Sequence, residues 1–365
     1  MLEKELLAVL RLQSTPKVGD IISKKLIRTL GSASQIFKEK KSALLKIDGI
    51  GEYIVKHLLN EKTHLLAAKE LEYILKQNIS YSYCFDADYP KNLQNCTDAP
   101  LLFFYDGKLN WKTDRIISIV GTRNMTNYGR EFCRNFIEDI AKYNPLIVSG
   151  LAYGVDICAH QAAIDCDLQN IAVLAHGLNE IYPKKHKQFL PKIMSNGGVI
   201  SEFWHNEQPM RENFLKRNRI VAGMSKATII IESAERGGAL VTADIANSYH
   251  RDVFAVPGKV TDYYSKGCNN LIKSNQAHLL SSAEDLVKML NWDVQKNLIV
   301  KQTELFVNLN ELEQKVYDYL LRNGKQLLDV IALDCEIPIY KLSSLLLQME
   351  LRGIIKPLPG KMFEV

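Results

Sequence analysis

The chain has 365 residues, of which 47% are hydrophobic and 24% are charged, and its formal net charge is +5. Such a composition predicts a folded protein with a substantial core, and the length allows two or three domains. It excludes a disordered chain, and no uninterrupted apolar run approaches the roughly 18 residues that a membrane span requires. The mildly basic balance permits an anionic partner without requiring one.

Cysteine usage points to a reducing compartment. The seven cysteines are an odd number and contain no CxxC pair, which argues against a disulfide framework and against a zinc site. We find no export signal and no anchor, so we expect a cytoplasmic protein with no membrane segment, no metal and no cofactor. We expect ordinary buried thiols at Cys84, Cys96, Cys133, Cys158, Cys166, Cys268 and Cys335.

Residues 1 to about 78 form the first predicted domain, which is helical. Apolar residues cluster at positions 6–10 and 65–68, and each cluster is flanked by charged positions. Between these clusters, Gly49, Ile50 and Gly51 resemble the turn of a helix-hairpin-helix, whose backbone N–H groups can approach a phosphate. Few basic residues flank the turn, so a tight turn in a SAM-like interaction module fits the same residues. Both interpretations stay open.

From about residue 79 to 290, short apolar runs alternate with helical segments, which is typical of a parallel α/β sheet. The run Ile116–Val120 is rich in β-branched residues and is closed by glycine and small polar residues, which predicts a central strand that ends in a loop. We predict further strands at Leu146–Ser149, Ile171–Leu174, Val199–Ser201, Ala227–Ile231 and Val253–Val256.

The carboxyl ends of such strands form the candidate site, because ligands of open α/β sheets bind there. Gly121, Thr122 and Arg123 follow the central strand, and the helix after them directs its free N–H groups toward the same loop, so this crest can hold an anion. Gly238 begins a second helix after a glycine turn, and its N–H groups could cradle a phosphate, with Thr242 one turn further on. Alternatively, the Gly-Gly turn is only a cap.

A basic helix entry supplies charge and an aromatic surface. Phe214 is surrounded in the sequence by four cationic residues, and the combination of phosphate contacts with a stacking face is the one that single-stranded nucleic acid binding uses. Taken alone, the same segment could be a solvated helix face. The four cationic residues are Arg211, Lys216, Arg217 and Arg219.

The acidic residues do not favour a nuclease, which would need clustered carboxylates for metal. Asp156, Glu202, Glu232 and Asp244 come from separate elements. We expect Glu202 and Glu232 to hold basic residues and backbone N–H groups in place. Asp156 lies four residues before a histidine on one helix face, a spacing that a catalytic pair could use. We favour structural hydrogen bonding for the histidines His160, His176 and His186.

A polar linker is predicted at residues 291–307, and residues 308–365 predict a second small domain. Two or three short helices precede a segment from Gly353 to the C-terminus that resembles the hairpin of a winged helix. The would-be recognition helix, Ile339–Leu351, is rich in leucine, and its only cations are Lys341 and, directly after it, Arg352. Because few phosphates could be neutralised, we favour a protein-contact or regulatory module over duplex binding.

Residues from about 83 to 290 resemble the DprA family, the DNA-processing proteins of bacterial natural transformation. The order and number of the matching motifs make the resemblance specific. The motifs are Asp88-Tyr89-Pro90, Ile119 to Arg123, Tyr128-Gly129, Ser149 to Asp156 with Ala159-His160, Gly177-Leu178 with Ile181-Tyr182-Pro183, Ser201-Glu202, Phe214 with Arg217 to Ile220, Gly238 with Leu240 to Ala243, Val256-Pro257-Gly258, and Gly267 with Asn269 and Leu271-Ile272.

The resemblance implies an extended Rossmann-like domain that binds single-stranded DNA, forms a homodimer and loads the RecA recombinase, without being an enzyme. Arg211 stands where some members have lysine. The sequence departs from common members at Gly237, often serine, and at Asn179, often aspartate. The family's DNA pocket maps onto Gly121, Thr122, Arg123, Ser149, Gly150, Phe214, Lys216, Arg217, Asn218 and Arg219.

Two enzyme classes are rivals to this interpretation. The sheet also resembles that of cytokinin-activating phosphoribohydrolases, which cleave nucleoside monophosphates, but their Gly-Gly-x-Gly-Thr-x-x-Glu signature is missing, since the corresponding loop reads Arg236 to Thr242. An NTPase is disfavoured because the chain has no Gly-x-x-x-x-Gly-Lys-Ser/Thr motif. Release of free base from AMP would favour the first rival.

Overall fold

The computed structural model describes residues 2–292, 309–358 and 360–365. Contacts divide the chain between Asp293 and Val294 into two compact units. Each unit has a hydrophobic core of its own. Within the described residues, no helix is long and apolar enough to cross a membrane.

The first unit begins with helices that pack around a shared apolar core. Gly49 lies between two of them with a φ of 79°, in the left-handed region that favours glycine, so it forms the turn that the sequence predicts there. The last helix is capped by Asn60 and ends at Asn78, whose φ is 50°. The helices are α1 (Glu3–Ser14), α2 (Asp20–Leu30), α3 (Ala33–Ile36), α4 (Lys41–Leu44), α5 (Glu52–Leu58) and α6 (Glu61–Gln77).

A nine-stranded sheet follows, in the order β1-β2-β6-β5-β4-β3-β7-β8-β9. The strands from β3 onward pair in parallel, whereas β1 and β2 form an antiparallel extension beside β6. The strands are β1 (Ser80–Tyr83), β2 (Leu102–Gly107), β3 (Ile116–Val120), β4 (Leu146–Ser149), β5 (Asn170–Val173), β6 (Gly197–Ser201), β7 (Ala227–Ile230), β8 (Asp252–Ala255) and β9 (His278–Leu279).

The strand order reverses between β3 and β7. From β3 the chain proceeds outward through β4, β5 and β6, and then returns to place β7 on the other side of β3. This is the topological switch point of a doubly wound sheet, at which the loops on both sides separate and leave a crevice. The remaining helices of this unit are α7 (Lys91–Gln94), α8 (Asn127–Ile140), α9 (Val155–Asp165), α10 (Leu190–Ser195), α11 (Arg211–Met224), α12 (Gly238–Ser248), α13 (Lys266–Lys273) and α14 (Ala283–Met289).

The predicted α/β fold is confirmed, and all six predicted strands lie within two residues of observed ones. The additional strands β1, β2 and β9 were not predicted from the sequence. Helices α1 to α6 belong to the same apolar cluster as residues of β2 and α11, for example Leu10, Leu102 and Ile220. The domain boundary predicted after residue 78 therefore stays a prediction, and the first 292 residues share much of their core.

The second unit has the element order of a winged helix. Its elements are α15 (Glu311–Asn323), β10 (Gln326–Leu327), α16 (Leu328–Asp334), α17 (Ile339–Leu351), β11 (Lys356–Leu358) and β12 (Met362–Glu364). The three strands form a sheet in the order β10-β12-β11, and Val316, Leu342 and Leu346 are in the core. Trp292, at the start of the predicted linker, is buried in the core of the first unit. Most of the predicted linker lies outside the described residues.

Candidate nucleic-acid interface

A cavity of about 710 Å³ opens at the switch point, above the carboxyl ends of β3 and β7. Four segments supply its walls: the loop after β3, the start of α9 with the residues before it, the first two turns of α11, and the loop from β7 into α12. The lining includes Gly121, Thr122, Arg123, Ala152, Asp156, Arg211, Phe214, Leu215, Arg217, Asn218, Ser233, Ala234, Arg236, Gly237, Gly238, Val241 and Thr242.

The loop after β3 is fixed by its neighbours on both sides. The Thr122 N–H donates to the Glu232 carbonyl at 2.7 Å, and the Val155 N–H donates to the Thr122 carbonyl at 3.1 Å. A Cβ on Gly121 would lie 2.4 Å from a methyl carbon of Val155, so only glycine fits this close approach. The loop is therefore held rigidly at the mouth of the cavity, before any ligand binds.

Glu232 positions the start of α8, as predicted. Its carboxylate accepts a hydrogen bond from the Thr126 N–H at 2.9 Å and another from the Thr126 hydroxyl. The Thr126 hydroxyl oxygen in turn accepts from the Gly129 N–H at 3.2 Å, which caps α8. The role of Glu232 in holding backbone N–H groups in place is thereby confirmed.

Arg123 and Phe214 meet at the mouth of the cavity. The guanidinium carbon of Arg123 lies 5.3 Å from the centroid of the Phe214 ring, within the range of a cation–π contact. The ring of Tyr182 packs edge-on against Phe214, with the two centroids 5.9 Å apart. An aromatic face and a charged group that the sequence separates by 90 residues are therefore adjacent in space.

Arg217 lies at the floor of the cavity and is only 4% exposed. Its Nη1 donates to the carbonyl oxygens of Gly150 and Val173 at 2.5 and 2.6 Å. A Cβ on Gly150 would lie 2.0 Å from the same nitrogen. Burial raises the pKa of the neighbouring Asp156, although the positive charge of Arg217 partly opposes that rise. The hydrogen bonds of Arg217 thus hold the loop after β4 in place.

The glycine turn after β7 completes the wall opposite Arg123. A Cβ on Gly237 would lie 2.1 Å from the Ser233 hydroxyl, whereas a Cβ on Gly238 would have no neighbour within 4 Å. No side chain caps the first turn of α12, and the Leu240 N–H in that turn donates to the Gly237 carbonyl at 3.1 Å. Thr242 lines the same wall one turn further on.

Three arginines give the cavity its charge. Arg123, Arg211 and Arg236 are exposed and line the opening, and none of them has an ion pair within the described ranges. Asp156 is the one lining residue with a carboxylate, and it accepts a hydrogen bond from the Ala152 N–H at 3.3 Å. The cavity therefore has a net positive charge and suits an anion. Arg236 was not predicted as a site residue, although it lies in the glycine turn that was.

Four predicted site residues do not line the cavity. Ser149 is fully buried, and its hydroxyl donates to the Ile119 carbonyl at 2.6 Å. Gly150 is covered by Arg217, and Lys216 is exposed outside the cavity. Arg219 pairs with Glu202 and with Asp20, the latter at 3.1 Å. The polar atoms of Ser149 and Arg219 and the space beside Gly150 are already used by the protein, which argues against these three as direct contacts for a ligand. Lys216 is exposed, and its contact with a ligand stays a prediction.

The histidines have the structural roles that the sequence analysis favoured. Nδ1 of His160 lies 3.0 Å from the Asn170 side-chain oxygen, and burial lowers the pKa of His160 to about 4. His176 and His186 hydrogen-bond to backbone groups. Glu202 holds the basic Arg219, as predicted. Within the described residues there is no cluster that could hold a metal ion, and all seven cysteines are free.

The fold and the cavity together define a Rossmann-like protein with a positively charged crest. Sequence comparison gives the family: a model described as DNA recombination-mediator protein A matches residues 80–291, and a model of the DprA winged helix domain matches residues 307–361. The first match covers more than half of the chain. The chain belongs to the DprA family of DNA-processing proteins.

Known relatives agree with this assignment. Protein Smf of Escherichia coli is 35% identical over 281 residues, which cover 74% of each chain. The crystal structure of DNA processing protein A from Streptococcus pneumoniae matches with a TM-score of 0.69 and 30% identity, over 79% of this chain and 98% of that one. The Helicobacter pylori protein, whose structure was described for its single-stranded DNA binding mode, matches with a TM-score of 0.53 and 28% identity, over 59% of this chain and 97% of that one.

Proposed function

We propose that the protein binds single-stranded DNA, without sequence preference, in the cavity at the switch point. The observation that carries the proposal is the contact between Arg123 and Phe214 at a cavity lined by two further arginines, Arg211 and Arg236, that form no ion pair with any described residue. The DNA-processing family and the single-stranded DNA binding of the Helicobacter pylori relative support it.

The two kinds of group would bind different parts of the strand. Phosphates are held by Arg123, Arg211 and Arg236 and by the first turn of α12, which no side chain caps. An unpaired base stacks on Phe214, a contact worth roughly 1 to 3 kcal/mol that tolerates any base. Bases within a duplex offer no free face, so a preference for single strands follows. Arg219 and Ser149 support the site rather than contact the strand, and the exposed Lys216 is a further phosphate contact beside the cavity.

The finer functional assignments follow from the family resemblance. In this proposal the protein acts as a homodimer in the cytoplasm, protects incoming single strands and loads the RecA recombinase onto them, without catalysis. The cavity supports the last point, because its one lining carboxylate, Asp156, is buried and hydrogen-bonded to the backbone. A phosphoribohydrolase activity would need an accessible general acid or base near the ligand.

Replacement of Arg123 by alanine tests the site. The variant loses a charged phosphate contact and the cation that lies over Phe214, so we expect single-strand affinity to fall roughly 10- to 100-fold. The slope of log affinity against log salt should decrease by about 0.7, the value for one phosphate on a single strand. Fluorescence anisotropy with labelled single- and double-stranded oligonucleotides across a salt series measures both quantities.

Arg134→Ala is the matched control, because Arg134 is exposed on α8 and does not line the cavity. It should bind like the unmodified protein. Equal affinity for duplex and single strand, or an Arg123→Ala variant that binds normally, would contradict the proposed site.

A further inference from the structure

The segment between β8 and α13 lies beside the cavity and has no role in the site described so far. β8 is the neighbour of β7, and the two strands are parallel, so the segment emerges at the same crest. Its residue Tyr264 accepts a hydrogen bond from the Ser233 N–H at 2.7 Å, and the Gly267 N–H donates to the Ser233 carbonyl at 2.9 Å. Ser233 itself lines the cavity. The segment therefore forms an outer rim of the cavity wall.

Tyr263 presents an aromatic ring at the top of this rim. The residue is 64% exposed, and its ring packs edge-on against that of Tyr264, with centroids 5.0 Å apart and planes at 85°. Because the Tyr264 backbone is bonded to Ser233, the supporting ring is tied to the cavity wall. The outer ring is therefore both open to solvent and supported from one side, as a stacking platform requires.

The rim is preorganised by hydrogen bonds at its base. The Asn269 side chain bonds both backbone groups of Gly258, accepting from its N–H at 3.1 Å and donating to its carbonyl at 2.9 Å. The Tyr128 hydroxyl donates to the Pro257 carbonyl at 2.8 Å, which connects the rim to the start of α8. A ligand that binds such a segment avoids much of the entropic cost of ordering it.

Charged residues on the rim are mixed in sign. Lys259 and Lys266 are exposed and have no ion pair within the part of the chain that the structure describes. Asp262 is exposed between them in the sequence, and Glu235 is exposed in the loop after β7. The mixed charge cannot hold a polyanion strongly by itself. Stacking on the ring would have to supply most of the binding free energy, with the lysines as weaker phosphate contacts.

We propose that Tyr263 is a second base-stacking site for single-stranded DNA. The strand leaves the cavity beside Phe214, crosses the rim at Ser233 and stacks a further base on Tyr263, while Lys266 contacts a phosphate. The inference rests on the proposed function. It also gives the path of the bound strand, which continues from the β3–β7 crevice toward β8.

Oligothymidylates of increasing length separate the two stacking sites. For the unmodified protein, affinity should rise once the oligonucleotide is long enough to reach from Phe214 to the rim. Tyr263→Ala should leave the affinity of the shortest ligands unchanged and weaken the longer ones by roughly 5- to 150-fold, the range for one stacked base. Tyr263→Phe should restore the affinity, because the ring rather than the hydroxyl makes the contact. Tyr53→Ala, at an exposed tyrosine of α5, is the control and should have no effect.

A second measurement tests the phosphate contact. Lys266→Ala should reduce the salt slope by about 0.7 for the longer oligonucleotides only. Equal length dependence in Tyr263→Ala and the unmodified protein would overturn the second site, and the proposed function would stand if Arg123→Ala still weakened binding as expected. If the unmodified protein bound no single strand at any length, both proposals would fail.

Discussion

At the scale of single residues, two glycines of the site differ in how much space a side chain would have. Gly150 has no room for a side chain because Arg217 fills the space, whereas Gly238 faces open volume in the cavity. The first is needed for packing, and the second leaves room for a ligand. The sequence marks both positions as glycines that follow strands but cannot distinguish these roles.

This difference predicts a separation of stability from binding. Gly150→Ala places a Cβ 2.0 Å from the Arg217 guanidinium, so we expect the free energy of unfolding to fall by about 1 to 3 kcal/mol, as for other overpacked sites. Gly238→Ala should leave stability unchanged or slightly raised, since it replaces glycine in a helix. Its methyl group would nevertheless occupy open space at the uncapped start of α12, and single-strand affinity should decrease. Urea denaturation and anisotropy measure the two effects, and equal losses of stability would contradict this account.

Among the secondary-structure elements, α11 serves two purposes along its length. Its first two turns bring Arg211 and Phe214 to the cavity, and its middle is fastened by Arg219 to Glu202 and to Asp20 of α2. The same basic sequence therefore contains both exposed and buried cations. Composition alone cannot tell which arginine has an acidic partner, because Asp20 is 199 residues away in the chain.

Because Arg219 and Glu202 form an ion pair that is largely shielded from solvent, we expect Arg219→Ala to lower the free energy of unfolding by an amount that depends on pH. Arg219→Ala leaves Glu202 buried without its cation, so the free energy of unfolding should fall by about 3 to 5 kcal/mol. Burial already raises the pKa of Glu202 to about 7, above its usual value, and loss of Arg219 raises it further. A carboxyl group with a raised pKa destabilises the fold in its charged form, so stability should fall as the pH increases from 5 to 8.

The control combines Arg219→Met with Glu202→Gln, which removes the charges of Arg219 and Glu202 and leaves that of Asp20. This variant should recover much of the lost stability and show little of that pH dependence in urea denaturation. Recovery without loss of the pH dependence would assign the titration to another group.

For the whole molecule, the sequence predicts most of the sheet and only part of the site. Runs such as Ile116–Val120 are long, apolar and β-branched, so period and composition identify them. The sequence pattern does not identify strands β1 and β9, because β1 is half exposed and β9 has only two residues. The cavity depends on contacts between distant segments, such as Arg123 with Phe214, and on burial of Arg217, which no local pattern encodes.

We expect the second unit to contribute little to the affinity for single-stranded DNA. Helix α17 has exposed apolar residues at Ile339, Leu347 and Leu351, and Lys341 is one of its few cations. We propose that it contacts protein rather than duplex DNA. A chain that ends before residue 308 should bind single strands within about threefold of the full chain, since few phosphate contacts are lost. Anisotropy with both kinds of DNA tests this, and loss of duplex binding on truncation would contradict the protein-contact role.

The apolar cluster that α1 shares with β2 and α11 also affects how the chain can fold during its synthesis. Leu6, Leu10 and Leu12 are made before β2 and α11, so some of the side chains that cover them are made about a hundred to two hundred residues later. Until those residues are made, the nascent helices expose apolar surface to water, which favours aggregation or chaperone binding. Slow translation across the early sheet would lengthen that exposure, so the yield of this protein should depend on the pace at which it is made.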